Sequence, residues 1–148
     1  MKIELLNIGE EEKVSGICQK CIKEINAKDL TEKQIAVLLN EFSIKGIRSY
    51  SKKYNVFVAK NEQNEIIGTG TLANNQIKGV FVDDEYFCLG VGRALMTYLE
   101  NKARDLGYNK TILTSSSYAR DFYLKLGYKQ IKRIDSIVGE MTEMEKAI

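Results

Sequence analysis

Between Val80 and Leu95 the chain passes from an apolar run (Val80-Phe81-Val82) through an acidic turn (Asp83-Asp84-Glu85) into Leu89-Gly90-Val91-Gly92. From Val91 onward, Ala94, Leu95, Tyr98, Leu99, Ala103 and Leu106 recur with the period of an α-helix, and Gly107 follows as a C′ residue. A strand that turns through glycines straight into an amphipathic helix must lay that helix back on its own sheet. The next strand, expected at Thr111–Thr114, then runs parallel to the first by a right-handed crossover. The same loop gathers free N–H groups and a positive helix end at one point. That arrangement suits a phosphate or pyrophosphate.

The rest of the chain supplies the remaining elements. Lys2–Leu6 reads as a strand, and Glu10–Ala27 as a helix through Val14, Ile17, Cys18, Cys21, Ile22 and Ile25. Thr31 and Gln34 form a capping box that opens a second helix through Leu38, Leu39 and Phe42, with Gly46 in its exit. Asn55–Lys60, Ile66–Ala73 and Ile77–Val82 are strands joined by short polar turns, hence an antiparallel meander. Ala119, Phe122, Tyr123 and Leu126 mark a short helix ended by Gly127, and Lys129–Asp135 and Glu140–Lys146 are the last strands. The expectation is an α/β (α+β) fold: a mixed, mostly antiparallel seven-stranded sheet flanked by helices, in the order β-α-α-β-β-β-α-β-α-β-β. No repeat or linker interrupts it, so residues 1–148 are expected to form one domain.

Composition narrows the chemistry. The chain has no histidine, which excludes a Ser-His-Asp triad, a Cys-His pair and any His-ligated metal. Proton transfer falls to a carboxylate, Tyr, Lys, Cys or water. Three cysteines, an odd number, suit a reducing compartment, and Cys18 and Cys21 read as small core residues on the apolar face of a helix. No metal site is expected. The net charge of +2 argues against a nucleic-acid partner, and no apolar run approaches the ~20 residues of a membrane span. Met1–Glu12 lacks the apolar core of a signal peptide, so a cytoplasmic location is the expectation.

A Gly-x-Gly loop alone is a weak signal. A Walker loop needs Lys-Ser/Thr after its last glycine, whereas Arg93-Ala94 follows Gly92. A Rossmann loop needs a third Gly or Ala where Leu95 stands. A kinase loop needs much more chain.

The chain instead resembles the GNAT superfamily of N-acetyltransferases. That family's cofactor loop, Q/R-x-x-G-x-G/A, is matched by Phe87-Cys88-Leu89-Gly90-Val91-Gly92. A second motif, an alanine, an aromatic pair and Lys-x-Gly-aromatic, is matched by Ala119, Phe122-Tyr123 and Lys125-Leu126-Gly127-Tyr128. Phe87 stands in place of the family's Gln or Arg, and Cys88 in place of a frequent glycine.

The resemblance implies acetyl-CoA as co-substrate and no metal. Val80, Phe81 and Val82 would hold its pantetheine arm like an added strand. The amides of Leu89, Gly90, Val91, Gly92, Arg93 and Ala94 would hold its pyrophosphate, with the Arg93 side chain as a charged contact. Ser116 stands where the family often has a CoA-binding asparagine, and its hydroxyl is equally suited to capping a helix. Tyr123 matches the family's general acid. A phenol with a pKa of about 10 can protonate a thiolate of about 8.5 to 9. No base is evident: Gln76 occupies the place of the family's glutamate, and Asp83, Asp84 and Glu85 read as a solvated turn.

The acceptor would be a small-molecule or peptide amine. The Gly46–Lys53 segment would help receive it; with its flanks it is basic (Lys45, Arg48, Lys52, Lys53) and carries Tyr50 and Tyr54. That segment reads either as a receiver for an acidic acceptor, a charged tRNA included, or as a solvated loop. A homodimer stays open, as does a non-catalytic CoA-binding regulatory module.

Overall fold

The computed structural model describes residues 1–148. Strand β1 (Lys2–Leu5) leads into helix α1 (Glu11–Glu24), which ends in a 3-10 turn at Asn26–Asp29 and not at Ala27 as the spacing suggests. Helix α2 (Glu32–Glu41) starts at Thr31, where the capping box is complete: Thr31 Oγ1 accepts the Gln34 N–H at 3.2 Å, and Gln34 Oε1 accepts the Thr31 N–H at 3.0 Å.

The first departure from the sequence reading follows. Gly46–Lys53 is no loop but most of a third helix, α3 (Ile44–Lys53), whose N-cap Ser43 accepts the Gly46 N–H at 3.1 Å. The element order therefore carries one helix more than expected. Gly46 fits because the chain crosses tightly there: a Cβ on it would stand 1.9 Å from the Glu41 carbonyl oxygen.

Strands β2 (Asn55–Lys60), β3 (Ile66–Ala73) and β4 (Gln76–Val82) form the expected antiparallel meander. Helix α4 (Val91–Asp105) follows, with Gly107 at φ +95° just past its end. Strand β5 (Lys110–Ser116), helix α5 (Arg120–Lys125), strand β6 (Lys129–Ser136) and strand β7 (Gly139–Ala147) complete a seven-stranded sheet ordered β1-β2-β3-β4-β5-β7-β6. Only the β4–β5 pair is parallel.

Strands β2 and β3 are covered on both faces, whereas β6 at the far edge is largely exposed. Alternation along β2 sends Phe57 towards Met96, Leu99 and Ala103 of α4, while Val58 faces the core of α1 and Ile47 of α3. All eight residues of β3 are consequently buried. Leu95 and Leu99 are fully buried, each worth about 1.5–3 kcal/mol relative to exposure. Cys18 and Cys21 lie in the α1 core, as their spacing indicated. Glu100 of α4, 7% exposed, accepts hydrogen bonds from Tyr128 Oη (3.0 Å) and Lys146 Nζ (3.1 Å), which fastens α4 to β7. No helix is long and apolar enough to cross a membrane.

Candidate active site

β4 and β5 pair at only two positions, Gln76 with Ile112 and Ile77 with Leu113. Beyond Ile77 the strands separate. The cause lies in β4: between the pairs Thr71–Lys78 and Thr69–Phe81 one extra residue is inserted, and Gly79 there has φ +56°. Such a bulge bends its strand. The Phe42 ring fills the space beside it, 3.1 Å from where a Cβ on Gly79 would stand.

The separated edge has defined polarity. The Asp83 N–H bonds to the Ile67 carbonyl at 2.9 Å, so by alternation Phe81 also turns its backbone to β3 while Val82 turns its N–H and C=O to the gap. Within Val80–Val82, Phe81 therefore offers a ring and not an amide; that ring meets Phe42 edge-on at 4.9 Å. The Val82 carbonyl accepts the Cys21 thiol at 3.2 Å. Burial, then the Asp84 and Asp83 carboxylates, push that thiol up to about 11, so it stays a donor.

The gap leads to the N-terminus of α4. Gly90, at φ +85°, is its N-cap and offers no side-chain cap. The amides from Cys88 to Arg93 have no protein partner, whereas the Ala94 N–H is spent on the Gly90 carbonyl at 3.0 Å. Of the amides expected to hold a pyrophosphate, Leu89 to Arg93 are thus free and Ala94 is engaged, and the Cys88 amide is free as well. Gly92 lies close to α5: a Cβ there would stand 3.1 Å from the Phe122 ring, a tight contact that the partly exposed ring would have to yield to by a few tenths of an ångström. Arg93 is exposed, and the first turn carries no acid. The nearby acidic turn is otherwise engaged: Asp84 pairs with Lys20 at 2.8 Å, and Asp83 caps the Glu85 N–H at 3.1 Å.

Tyr123 comes from α5 and shares a core with Ile77 and Leu113, the residues at the vertex of the gap. Its ring packs on Phe122 (5.1 Å) and Tyr128 (5.9 Å). No protein group bonds its hydroxyl, and that oxygen is not sealed from the surface. Burial pushes its pKa up to about 12, so the phenol keeps its proton throughout the neutral range. Ser116 Oγ accepts the Ala119 N–H at 3.3 Å, which closes the turn before α5 without capping the helix, whose N-cap is Ala119, and leaves the Ser116 proton unused.

On the other face, a cleft of about 480 Å³ opens between α2, α3 and β4. Glu41, Lys45, Lys53, Tyr54 and Lys78 line it, and Tyr50 donates its hydroxyl to Glu41. Sequence reading expected Gly46–Lys53 to help receive an acceptor; the folded chain brings Glu41 and Lys78, to which no sequence pattern pointed, alongside that segment. It also missed Phe122 as the wall behind Gly92, although the aromatic pair Phe122-Tyr123 was in view.

This constellation, a split parallel pair feeding a bare helix N-terminus, agrees with the comparisons. A family model described as an acetyltransferase (GNAT) domain matches residues 26–147, and the chain belongs to the GNAT acetyltransferase family. Among characterised relatives it is similar to the peptidyl-lysine N-acetyltransferase YjaB of Escherichia coli, at 29% identity over 83 residues. That match covers 56% of this chain, which spans only 55% of YjaB's length. Among solved structures, a GCN5-related N-acetyltransferase from Rhodopseudomonas palustris superposes with a TM-score of 0.88 at 20% identity, covering 99% of this chain and 95% of its own. PaiA N-acetyltransferase from Thermoplasma acidophilum, in complex with coenzyme A, gives 0.76 at 21% identity over 100% of both chains. These two likenesses are of fold.

Proposed function

We propose that this protein transfers an acetyl group from acetyl-CoA to a primary amine. One observation carries the reading: an unpaired β4 edge runs into six consecutive amides, Cys88 to Arg93, that nothing in the protein satisfies. Orphan amides at a helix N-terminus fit a pyrophosphate, and the open edge fits the amide-bearing arm of CoA. The complex of the Thermoplasma PaiA enzyme with coenzyme A supports the same ligand. The family membership and the lysine-acetylating relative support an amine as acceptor.

Acetyl-CoA supplies an activated acyl group as a thioester. The residues of the chain do the rest. Val80 and Val82 would hold the arm at the edge of β4, and a free N–H of that edge, around Val82, would be a donor for the thioester carbonyl oxygen. Arg93 adds charge at the phosphates. The Ser116 hydroxyl retains a proton to donate into the gap. As a neutral amine nitrogen bonds to the acyl carbon and the C–S bond breaks, Tyr123 would deliver its Oη proton to the departing sulfur, and the proton shed by the amine would pass through solvent and restore the phenol. With a pKa near 12, this acid donates only as negative charge builds on that sulfur.

Calorimetric titration with acetyl-CoA, beside CoA and ATP, tests the cofactor; a CoA thiol-release assay over an amine panel tests the transfer. Micromolar acetyl-CoA binding with weak ATP binding is expected, followed by amine-dependent thiol release. Absence of heat at millimolar acetyl-CoA overturns the reading. Tight binding without release on any amine would make the chain a CoA-binding regulatory module.

A further inference from the structure

Resting on the amine-acetylating reading, we propose that the cleft between α2, α3 and β4 receives a small primary amine that also carries an anionic group, a carboxylate or a phosphate. Position comes first. Lys78 is the first β4 residue beyond the last pair with β5, so the cleft opens at the vertex of the gap. The rings connect the two: Tyr50 stacks on Phe42 at 6.1 Å, and Phe42 lies against Gly79 and Phe81. An arm bound by its pyrophosphate at α4 and extended along β4 points its reactive end towards this place.

Charge comes second. Three lysines line the cleft against one carboxylate, Glu41. Lys45, Lys53 and Lys78 have no carboxylate within salt-bridge distance, as holds for most lysines of the chain, but these three converge on one cleft. Glu41 is already engaged by the Tyr50 hydroxyl. Lys45 sits in the first turn of α3, which carries no acid, so a cation there opposes the helix dipole. An anion in the cleft would answer all of these charges together. Glu41 remains as the one group that attracts an ammonium.

Size and surface come third. A volume of about 480 Å³ falls within the ~300–1,000 Å³ of small-ligand sites. The Tyr54 ring, with the Lys78 ammonium 5.6 Å from its centre, offers an apolar wall for the methylenes between amine and anion.

The test compares phosphoethanolamine with ethanolamine, and L-lysine with cadaverine, in the thiol-release assay; a neutral lysine-containing peptide is the fifth acceptor. At least tenfold higher kcat/KM is expected for one or both anion-bearing members, and whichever pair shows it tells phosphate from carboxylate. The double variant Lys45→Glu/Lys53→Glu should bring that ratio close to one. Equal rates within both pairs, a ratio unmoved by the charge reversal, or preference for the peptide overturns the proposal. Amide NMR with phosphoethanolamine and L-lysine reads binding without turnover. Shifts at Lys45, Gly46, Lys53 and Lys78 are expected, and shifts elsewhere or none count against it. Acetyl-CoA calorimetry on the same samples separates the two failures: a protein that binds acetyl-CoA and acetylates only anion-free amines keeps its function and loses this acceptor.

Discussion

Cys88 holds φ at +62° on the exposed rim of the anion loop. A side chain in the left-handed region costs about 1–2 kcal/mol, partly offset by the extra freedom glycine would bring to the unfolded chain. Cys88→Gly should therefore stabilise the fold by roughly 0.5–1 kcal/mol, read as a higher denaturant midpoint at an unchanged m-value. The loop motif marked this position as one where the family often has glycine, and the backbone supplies the reason. Tyr123 makes a second prediction at this scale. Tyr123→Phe keeps the ring in its core and removes only the hydroxyl, so turnover should fall roughly 10²-fold while acetyl-CoA affinity stays nearly intact. Unchanged turnover would remove Tyr123 from the proposed mechanism.

Helix starts were legible where side chain and backbone work together. Thr31 and Gln34 announce α2, and the reciprocal bonds are present. Thr31→Ala should cost about 1 kcal/mol, measured by chemical denaturation, and Thr31→Asp should restore most of it. Helix α3 was missed for a local reason. Gly46 is a poor helix former, and Lys45, Arg48, Lys52 and Lys53 give the segment the look of a solvated loop. The spacing of Ile44, Ile47, Tyr50 and Tyr54 after a Ser43 cap was the available signal, although only Ile47 of the helix is buried. The anion loop was the reverse case. Its glycines were read as backbone devices, and one also has a steric side, since a Cβ on Gly92 would press on the Phe122 ring at 3.1 Å. No single-chain pattern reports that contact between α4 and α5.

At the scale of the whole molecule, the meander and the parallel crossover followed from short turns and from the strand–helix–strand run. The pairing of β7 between β5 and β6 depends on which edges remain free after the rest has packed, and the cleft with Glu41 and Lys78 depends on where α2 and α3 settle. Neither has a local signature. The folded whole also predicts an alkaline limit. Burial raises Tyr123 to about 12, and burial raises Tyr50 and Tyr128 as well. These phenols are neutral when protonated and lose their protons near pH ~10 once unfolded. Their contribution is complete below about pH 10 and is lost as pH climbs towards the folded values. Denaturant midpoints should thus hold steady to about pH 10 and then decline, with a shallower decline in Tyr123→Phe.

The two ladder pairs between β4 and β5 have a mechanical meaning. They are the seam between a four-stranded plate, β1 to β4, and a three-stranded plate, β5 to β7, with the Glu100–Lys146 contact as a strap behind it. Although one core spans both plates, a seam this short is expected to let their backbone hydrogen bonds open at different rates. A guest lying along the open edge of β4 and touching Ser116 on β5 would act as a removable eighth strand. Amide exchange in the two plates should run at separate rates in the free protein and converge on one slower rate with acetyl-CoA bound. On that view the cofactor does more than bring the acetyl group: it makes a single body of two plates for as long as it stays.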